Sequence, residues 1–240
     1  MKPKIQTLRD RVAHRLFNTT RWVAEVAGIS RWSRPSAHGI EARLRATLPR
    51  RGFFVEAGGY DGFMESNTYY LERLRGWRGL LVEPMEGLCQ VARKLRTRSI
   101  VVQAALIGDT DCRETIEIHW GGAMSTAPGA LPPHLEKDHL KHAGRFADLG
   151  LVSVPARTLS SILDEIGAPQ VDFLSLDVEG MEMPALLGLD LRRHRPGMIL
   201  VESLDEARRT GIRDLLQAHD YVHHGRWTPR DDCYLRRDRA

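Results

Sequence analysis

The sequence predicts an α/β fold with a mostly parallel sheet, of the kind that binds a nucleoside. Apolar runs alternate with helical patterns from residue 53 onward. A loop with three glycines (Gly58, Gly59 and Gly62) joins the first run to a helical pattern, and the second run ends in an acid, Glu83. Such glycines let a ligand approach the backbone, and an acid about twenty residues downstream accepts ribose hydroxyls.

Composition is that of an ordinary globular protein. Of the 240 residues, 42% are hydrophobic and 28% are charged, and the net charge is only +4. No Lys/Arg run is interleaved with aromatic residues, so we predict no nucleic-acid partner. No apolar run approaches the roughly 20 residues of a membrane span, and the basic N-terminus lacks the apolar core of a signal peptide. The three cysteines form no zinc spacing, which favours a reducing compartment, so we expect a cytoplasmic protein.

Residues 1–50 are predicted to form a basic helical extension of the main domain, residues 51–240. A break at 33–36 separates two helical patterns, and the second runs over 40–48. We interpret the extension as a cap on the domain. A contact within a homodimer and a basic amphipathic segment on an acidic membrane surface are the alternatives. Its apolar positions at helical spacing are Leu8, Val12, Leu16, Phe17, Trp22, Val23 and Val26.

Strands and helices are then predicted in alternation. Near-continuous apolar runs are typical of parallel strands buried on both faces. They lie at 53–57, 79–83, 99–104, 171–177 and 197–202. Alternating patterns predict half-exposed strands at 115–120 and 152–157, and a hairpin ends the chain at 221–223 and 233–235. Helices are predicted over 64–74, 159–166, from Met181, and around 212–216.

The interval 121–150 has a different character. It is rich in glycine, proline and histidine and shows no periodicity. Long irregular segments inside α/β domains are typically lids or substrate loops. We therefore predict a substrate lid, with a solvated surface insertion as the alternative.

Acids end four of the predicted strands: Glu56, Glu83, Asp177 and Glu202. Ligands of open parallel sheets bind at the carboxyl ends of the strands, so these acids should converge on one edge. Like charges repel unless a cation or a donor-rich ligand lies among them. Glu179, two residues beyond Asp177, should flank the same site.

Seven short segments occur in an order that resembles the FkbM-type methyltransferases over residues 52–203. They are Val55–Gly62, Ser66–Thr68, Gly76–Gly79, Val82–Pro84, Arg157–Leu159, Leu176–Glu182 and Leu200–Glu202. The Asp-x-Gly usual in the first loop of the family stands here as Glu56-x-Gly58. This family resembles class I S-adenosylmethionine-dependent methyltransferases, which have a seven-stranded Rossmann-like sheet with helices on both faces. The resemblance implies methylation of a hydroxyl on a sugar, a glycolipid or polysaccharide precursor, or a natural product.

The resemblance also assigns the residues that bind the donor. Glu56 and the 58–62 loop would hold its amino-acid end, Glu83 would accept the ribose hydroxyls, and Ser66 and Asn67 would donate to its carboxylate or hold the loop. The full predicted donor set is Glu56, Gly58, Tyr60, Asp61, Ser66, Asn67, Glu83, Pro84, Gln103 and Ala104.

A sugar hydroxyl is a weak nucleophile that needs a base or a metal. We predict Asp177, Glu179 and Glu202 for that role, either holding Mg²⁺ or binding the hydroxyl without metal, and His142 in the lid as a further base. The competing functions are a dinucleotide-dependent oxidoreductase and a non-catalytic protein that keeps the fold. The missing G-x-G-x-x-G spacing opposes the first, and the acids at all four strand ends oppose the second.

Overall fold

A seven-stranded sheet forms the centre of the computed structural model, which describes residues 19–142 and 150–239. The strands of the described chain, in sequence order, are β1 (Phe53–Ala57), β2 (Arg78–Glu83), β3 (Ser99–Gln103), β4 (Ala105–Leu106), β5 (Thr115–His119), β6 (Leu151–Arg157), β7 (Phe173–Leu176), β8 (Met198–Glu202), β9 (Tyr221–Arg226) and β10 (Asp231–Arg236). The central order is β3-β2-β1-β7-β8-β10-β9. Only β10 runs against its neighbours in this sheet. The predicted mostly parallel seven-stranded sheet and terminal hairpin are confirmed.

A smaller sheet stands beside the central one, in the order β4-β6-β5. Strand β4 pairs parallel with β6, and β5 pairs antiparallel with it. Its inward side chains, among them Ile116, Ile118 and Val154, form a separate apolar cluster. Strands β5 and β6 are the two that the alternating sequence pattern predicted as half-exposed. They lead the chain into and out of the 121–150 interval.

Helices cover both faces of the central sheet, as predicted. The described helices are α1 (19–26), α2 (Ile40–Thr47), α3 (Tyr69–Arg75), α4 (Glu86–Leu95), α5 (Pro133–His142), α6 (Leu159–Glu165), α7 (Glu182–Leu187) and α8 (Glu206–Gln217). Two apolar clusters, one on each face, pack these helices against the strands. No helix in the described ranges is long and apolar enough to cross a membrane.

One predicted helix begins later than its pattern suggests. The prediction over 64–74 is wrong at its start, because α3 begins at Tyr69. Asp61 Oδ1 accepts hydrogen bonds from the backbone N–H groups of Phe63 and Met64, and Glu65 has a left-handed φ of 56°. This backbone is a turn rather than a helix, so residues 61–66 form a loop.

The two segments outside the central fold are partly described. In the N-terminal extension, α1 and α2 occupy predicted helical positions, whereas Leu8, Val12, Leu16 and Phe17 lie outside the described residues. The 121–150 interval is less irregular than predicted, because it contains α5. Proline at the first position of a helix has no N–H to leave unpaired, so Pro133 starts α5.

Candidate active site

A cleft opens at the carboxyl ends of β1, β2 and β7, where the sequence predicted a ligand. It encloses about 870 Å³, part of it open to solvent. The predicted residues that line it are Gly58, Tyr60, Glu83, Pro84, Ala104, Asp177 and Glu179. Ser125, Thr126 and Ala127 of the 121–150 interval form the opposite wall, with Met64 and Glu65 beside the loop.

The floor of the cleft requires glycine at position 58. Its φ is +83°, and a Cβ there would lie 1.7 Å from the carbonyl oxygen of Asp177. The loops after β1 and β7 are held side by side, since the Asp177 N–H donates to the carbonyl of Ala57 at 3.1 Å. Any larger residue would push the two loops apart. Gly58 therefore brings the 58–62 loop next to Asp177.

Glu83 is buried at the end of β2 and lines the cleft. Its Oε2 accepts the N–H of Tyr60 at 3.0 Å, and its Oε1 accepts the N–H of Met85 at 3.1 Å. Burial raises the pKa of Glu83 to about 7, although these two backbone hydrogen bonds act in the opposite direction. Each oxygen keeps a further lone pair, so the carboxylate can still accept hydroxyl groups from a ligand.

Of the two residues predicted to border the adenine, Gln103 and Ala104, only Ala104 lies at the cleft. Gln103 does not line it, and its Nε2 donates to the carbonyl of Pro84 at 3.0 Å. That contact holds the turn after Glu83. Asp61 likewise shapes its own loop and is absent from the lining.

Glu56 lies beneath the cleft in a hydrogen-bond network. Its carboxylate accepts from Ser66 Oγ at 2.8 Å, from the Asn67 N–H at 2.7 Å and from Thr68 Oγ1 at 2.6 Å. The Arg96 guanidinium adds an ion pair at 3.4 Å. Glu56, Ser66 and Asn67 are not among the lining residues. The structure thus places these three predicted donor ligands in a scaffold that fixes the loop.

Arg96 and Glu72 complete that scaffold, and sequence reasoning missed both. Arg96 Nε pairs with Glu72 Oε2 at 2.8 Å, and both side chains are fully buried. Arg96 Nη2 also donates to Thr68 Oγ1 at 2.7 Å. Glu72 lies within α3 and Arg96 directly follows α4, and a charged side chain at such positions is ordinarily exposed to solvent. Their spacing gave no signal that they meet.

Asp177, Glu179 and Glu202 form a cluster of acids, of which Asp177 and Glu179 line the cleft and Glu202 lies beside them outside the lining. One carboxylate oxygen from each lies within 4.8 Å of those of the other two. Arg230 Nη1 pairs with Glu202 Oε1 at 3.2 Å. Glu202 Oε2 is buried and finds no donor in the part of the chain that the structure describes. The three acids that the sequence predicted to converge therefore lie together.

Burial raises the pKa of each acid in this cluster, and neighbouring carboxylates raise the pKa of Asp177 and Glu179 further. The pKa of Asp177 stands well above its ordinary value, first because of burial and then because of Glu202 and Glu179. Burial and Glu202 raise the pKa of Glu179 to about 9. The pKa of Glu202 is raised less, because Arg230 opposes the burial. A group that brings positive charge or hydroxyl donors relieves this repulsion.

The loop that carries Glu179 is held from three sides. Glu182 Oε1 accepts the N–H groups of Val178 and Gly180 at 3.1 and 3.0 Å. Thr126 Oγ1 donates to the Glu179 carbonyl at 2.7 Å, and Arg208 Nη1 donates to the Gly180 carbonyl at 2.9 Å. These contacts support Glu179 in a left-handed conformation with φ of 52°. The backbone of Glu179 is thereby held close to Asp177.

The three carboxylates of the cluster suit two kinds of ligand. Three carboxylates with a buried, unpartnered oxygen at Glu202 match the hard oxygen ligands that Mg²⁺ takes. They equally match a polyhydroxylated ligand that donates hydrogen bonds. His142 ends α5, and its side chain lies outside the described part of the structure.

Comparison with known proteins gives a family and several distant structural likenesses. The chain matches the methyltransferase FkbM domain family over residues 56–223. No curated protein sequence matches it. The FkbM methyltransferase of Methylobacillus flagellatus KT is 19% identical, with a TM-score of 0.47, over 80% of this chain and 46% of its own. The chain thus spans under half of that protein.

Two further solved structures cover most of both chains. A TehB-like SAM-dependent methyltransferase of Corynebacterium glutamicum ATCC 13032 Kitasato is 13% identical, over 93% of this chain and 98% of its own, with a TM-score of 0.44. An O-methyltransferase of Bacillus cereus in complex with SAH is 15% identical, over 91% and 88%, with a TM-score of 0.43.

Proposed function

The chain belongs to the FkbM family of S-adenosylmethionine-dependent methyltransferases, and from this premise we propose that it is an O-methyltransferase. The proposed acceptor is a hydroxyl of a sugar, of a glycolipid or polysaccharide precursor, or of a natural product. One observation carries the proposal. A single cleft joins Glu83, a buried acceptor for hydroxyls, to Asp177 and Glu179 of the acid cluster.

The β2 end of the cleft suits the nucleoside part of the donor. Glu83 is anchored by two backbone N–H groups and directs its remaining lone pairs to the ribose hydroxyls. Gly58 lets the donor approach the backbone, and Ala104 offers a small apolar surface to the adenine. The bound donor supplies an electrophilic methyl on a sulfonium, whose positive charge is favoured near the acid cluster.

The acid cluster suits the acceptor hydroxyl. Asp177 is the acid nearest to the donor loop, since Gly58 packs directly on its backbone. The raised pKa makes the ionised carboxylate of Asp177 a stronger base than an ordinary aspartate, and in that form it would take the hydroxyl proton as the oxygen attacks. Glu202 and Glu179 would hold the neighbouring hydroxyls of a polyol. In-line alignment of the oxygen, methyl and sulfur supplies much of the rate.

Binding of a divalent cation is the alternative role of the acid cluster within this proposal. Asp177, Glu179 and Glu202 would hold Mg²⁺, whose charge would lower the pKa of a bound hydroxyl. If the metal takes part, EDTA removes activity and Mg²⁺ restores it. Full activity in EDTA would assign the three acids to the hydroxyls themselves.

We also propose that the protein works in the cytoplasm. Its three cysteines, Cys89, Cys112 and Cys233, are free thiols, which suits a reducing compartment.

Transfer of a labelled methyl group tests the function. Protein, donor labelled on the methyl, and fractionated saccharide and natural-product acceptors are incubated, and acid-stable label in the acceptor is counted. We expect label in a hydroxyl-bearing fraction, and incorporation slower by on the order of 10²–10⁴ with Asp177→Asn. A protein that binds NAD in calorimetry, and neither S-adenosylmethionine nor S-adenosylhomocysteine, would contradict the proposal.

A further inference from the structure

Large apolar side chains are exposed together on the N-terminal extension. Of the ten large apolar side chains that are exposed in the described ranges, five lie within residues 22–32. We call them the N-terminal apolar face: Trp22, Val23, Val26, Ile29 and Trp32. Each is more than two-fifths exposed, and Val26 reaches 71%. Clustered exposure of this kind marks an interaction site, because scattered apolar residues are ordinary and patches are not.

The opposite side of α1 is tied firmly to the catalytic domain. Glu25 accepts hydrogen bonds from Tyr69 Oη at 2.8 Å and from Ser33 Oγ at 2.7 Å, and it pairs with Arg73 at 2.9 Å. Ala24 is buried. The helix therefore has a defined inner side, and Trp22, Val23 and Val26 are exposed on the rest of it, with Ile29 and Trp32 exposed in the segment that follows.

The N-terminal apolar face is connected to the mouth of the cleft. The Arg21 guanidinium lies 4.0 Å from the centre of the Phe63 ring. The next two residues, Met64 and Glu65, line the cleft. Met64 is itself a large apolar side chain with 53% exposure. A surface bound to the extension would thus lie near the entrance through which an acceptor reaches the site.

Charge is distributed unevenly between the extension and the rest of the chain. Of the 35 Lys and Arg residues and 31 Asp and Glu residues, eleven and three lie within residues 1–50, which leaves 24 and 28. The extension carries a net charge of +8 and the remainder −4. Arg31 precedes Trp32 and Arg34 follows it by two residues, and both arginines are exposed. Basic residues beside exposed tryptophan and valine are the composition of interfacial helices.

We propose that the N-terminal apolar face docks the protein on an anionic lipid membrane. Tryptophan and aliphatic side chains would enter the headgroup region, and the basic residues would pair with anionic headgroups. A second copy of the chain fits less well, because it would bring two segments of +8 together. Docking would bring the cleft close to acceptors that are carried on a lipid. That consequence rests on the proposed function, whereas the docking itself does not.

Vesicle co-sedimentation of the full chain tests the docking. The probes are vesicles of phosphatidylcholine and vesicles of equal parts phosphatidylcholine and phosphatidylglycerol. We expect at least tenfold stronger partition to the anionic vesicles, weakened by salt. The double variant Trp22→Ser/Val26→Ser should lose at least tenfold in partition. Val91→Ser removes an apolar side chain of similar exposure on α4 and should bind like the wild type.

The variants are first shown to fold, by circular dichroism and thermal melting. Equal partition of the double variant and the wild type, or no preference for anionic vesicles, would overturn the proposal. A wild type that is dimeric in light scattering and a double variant that is monomeric would assign the face to a second copy and also overturn it. Vesicle binding is measured without donor or acceptor, so failure of the methyl-transfer assay leaves this result independent.

Discussion

The carboxylates at and around the cleft have opposite surroundings on its two sides. On the β1–β3 side, Glu56 and Glu83 each accept hydrogen bonds from backbone N–H groups, and Glu56 also pairs with Arg96. On the β7–β8 side, Asp177, Glu179 and Glu202 crowd together, and Arg230 is the cation paired with them within the described chain.

This difference separates scaffold from reaction centre. A buried carboxylate that is surrounded by donors is stabilised by the fold itself. Buried carboxylates that face one another carry repulsion that the fold alone does not relieve, and a ligand does. By this criterion we propose that Glu56 holds the structure, that Glu83 serves both the fold and the donor, and that Asp177, Glu179 and Glu202 serve the reaction.

The largest expected effect is a loss of methyl transfer when an acid of the cluster is replaced. Asp177→Asn keeps the shape and removes the charge, so kcat should fall by on the order of 10²–10⁴, the scale of a positioned acid–base group. Label-transfer kinetics measure it. Asp172→Asn, at the far end of the same strand, is the matched control and should retain activity. Wild-type kcat in Asp177→Asn would move the reaction centre elsewhere.

The next effect concerns the scaffold. Glu56→Ala leaves Arg96 and the 66–68 loop without their shared acceptor, and it should cost roughly 3–5 kcal/mol of the free energy of unfolding, as when one partner of a buried pair is removed. Denaturant unfolding measures the loss. Glu86→Ala removes an exposed partner of Arg93 and should leave stability unchanged. A stable Glu56→Ala protein with weakened donor affinity would return Glu56 to the donor site.

A smaller effect is expected on pH dependence at Glu83. Its pKa of about 7 means that the carboxyl is largely neutral below that pH and ionised above it. The affinity for S-adenosylhomocysteine should therefore tighten a few-fold between about pH 6 and pH 8, since an ionised acceptor binds hydroxyls more strongly.

The same pKa fixes the sign of an effect on stability. The carboxyl of the unfolded chain ionises at lower pH, so the contribution of Glu83 to stability is present at low pH and is lost as the pH rises through about 7. Glu83→Gln should flatten both profiles, measured by calorimetry and by thermal melting. Unaltered profiles in that variant would assign the titration to another group.

The smallest expected effect is a change in hydrogen-exchange rate in the 121–150 interval, which we propose to be a lid. Hydrogen exchange should be fast over α5 in the free protein and slower with donor and acceptor bound. The Thr126 and Arg208 contacts should keep residues 126–130 better protected than α5. Uniform strong protection without ligand would make the interval a fixed part of the scaffold.

Part of this architecture could be read from local pattern. Buried parallel strands are apolar along their length, so β1, β2 and β8 were predicted within a residue of their observed bounds. Acids that follow such strands meet at one edge, which placed Glu83, Asp177 and Glu202. These features depend on neighbours along the chain and on the geometry of a parallel sheet.

The rest depends on contacts between distant residues. The role of Glu56 is set by Ser66, Thr68 and Arg96, which reach it only after the chain has folded. The start of α3 is set by a turn at Asp61 that competes with the helical pattern. Pro132 and Pro133 were interpreted as part of a loop, although proline also begins helices, as Pro133 does in α5.

Titration of three proteins with S-adenosylhomocysteine tests the division of the cleft most directly. Calorimetry on the wild type, Glu83→Ala and Asp177→Asn compares one acid from each half. We predict that Glu83→Ala weakens binding by roughly 1.5–3 kcal/mol, the contribution of hydrogen bonds to a charged group, and that Asp177→Asn binds like the wild type. Equal weakening by both substitutions, or loss only in Asp177→Asn, would contradict the assignment of donor and reaction centre to separate halves.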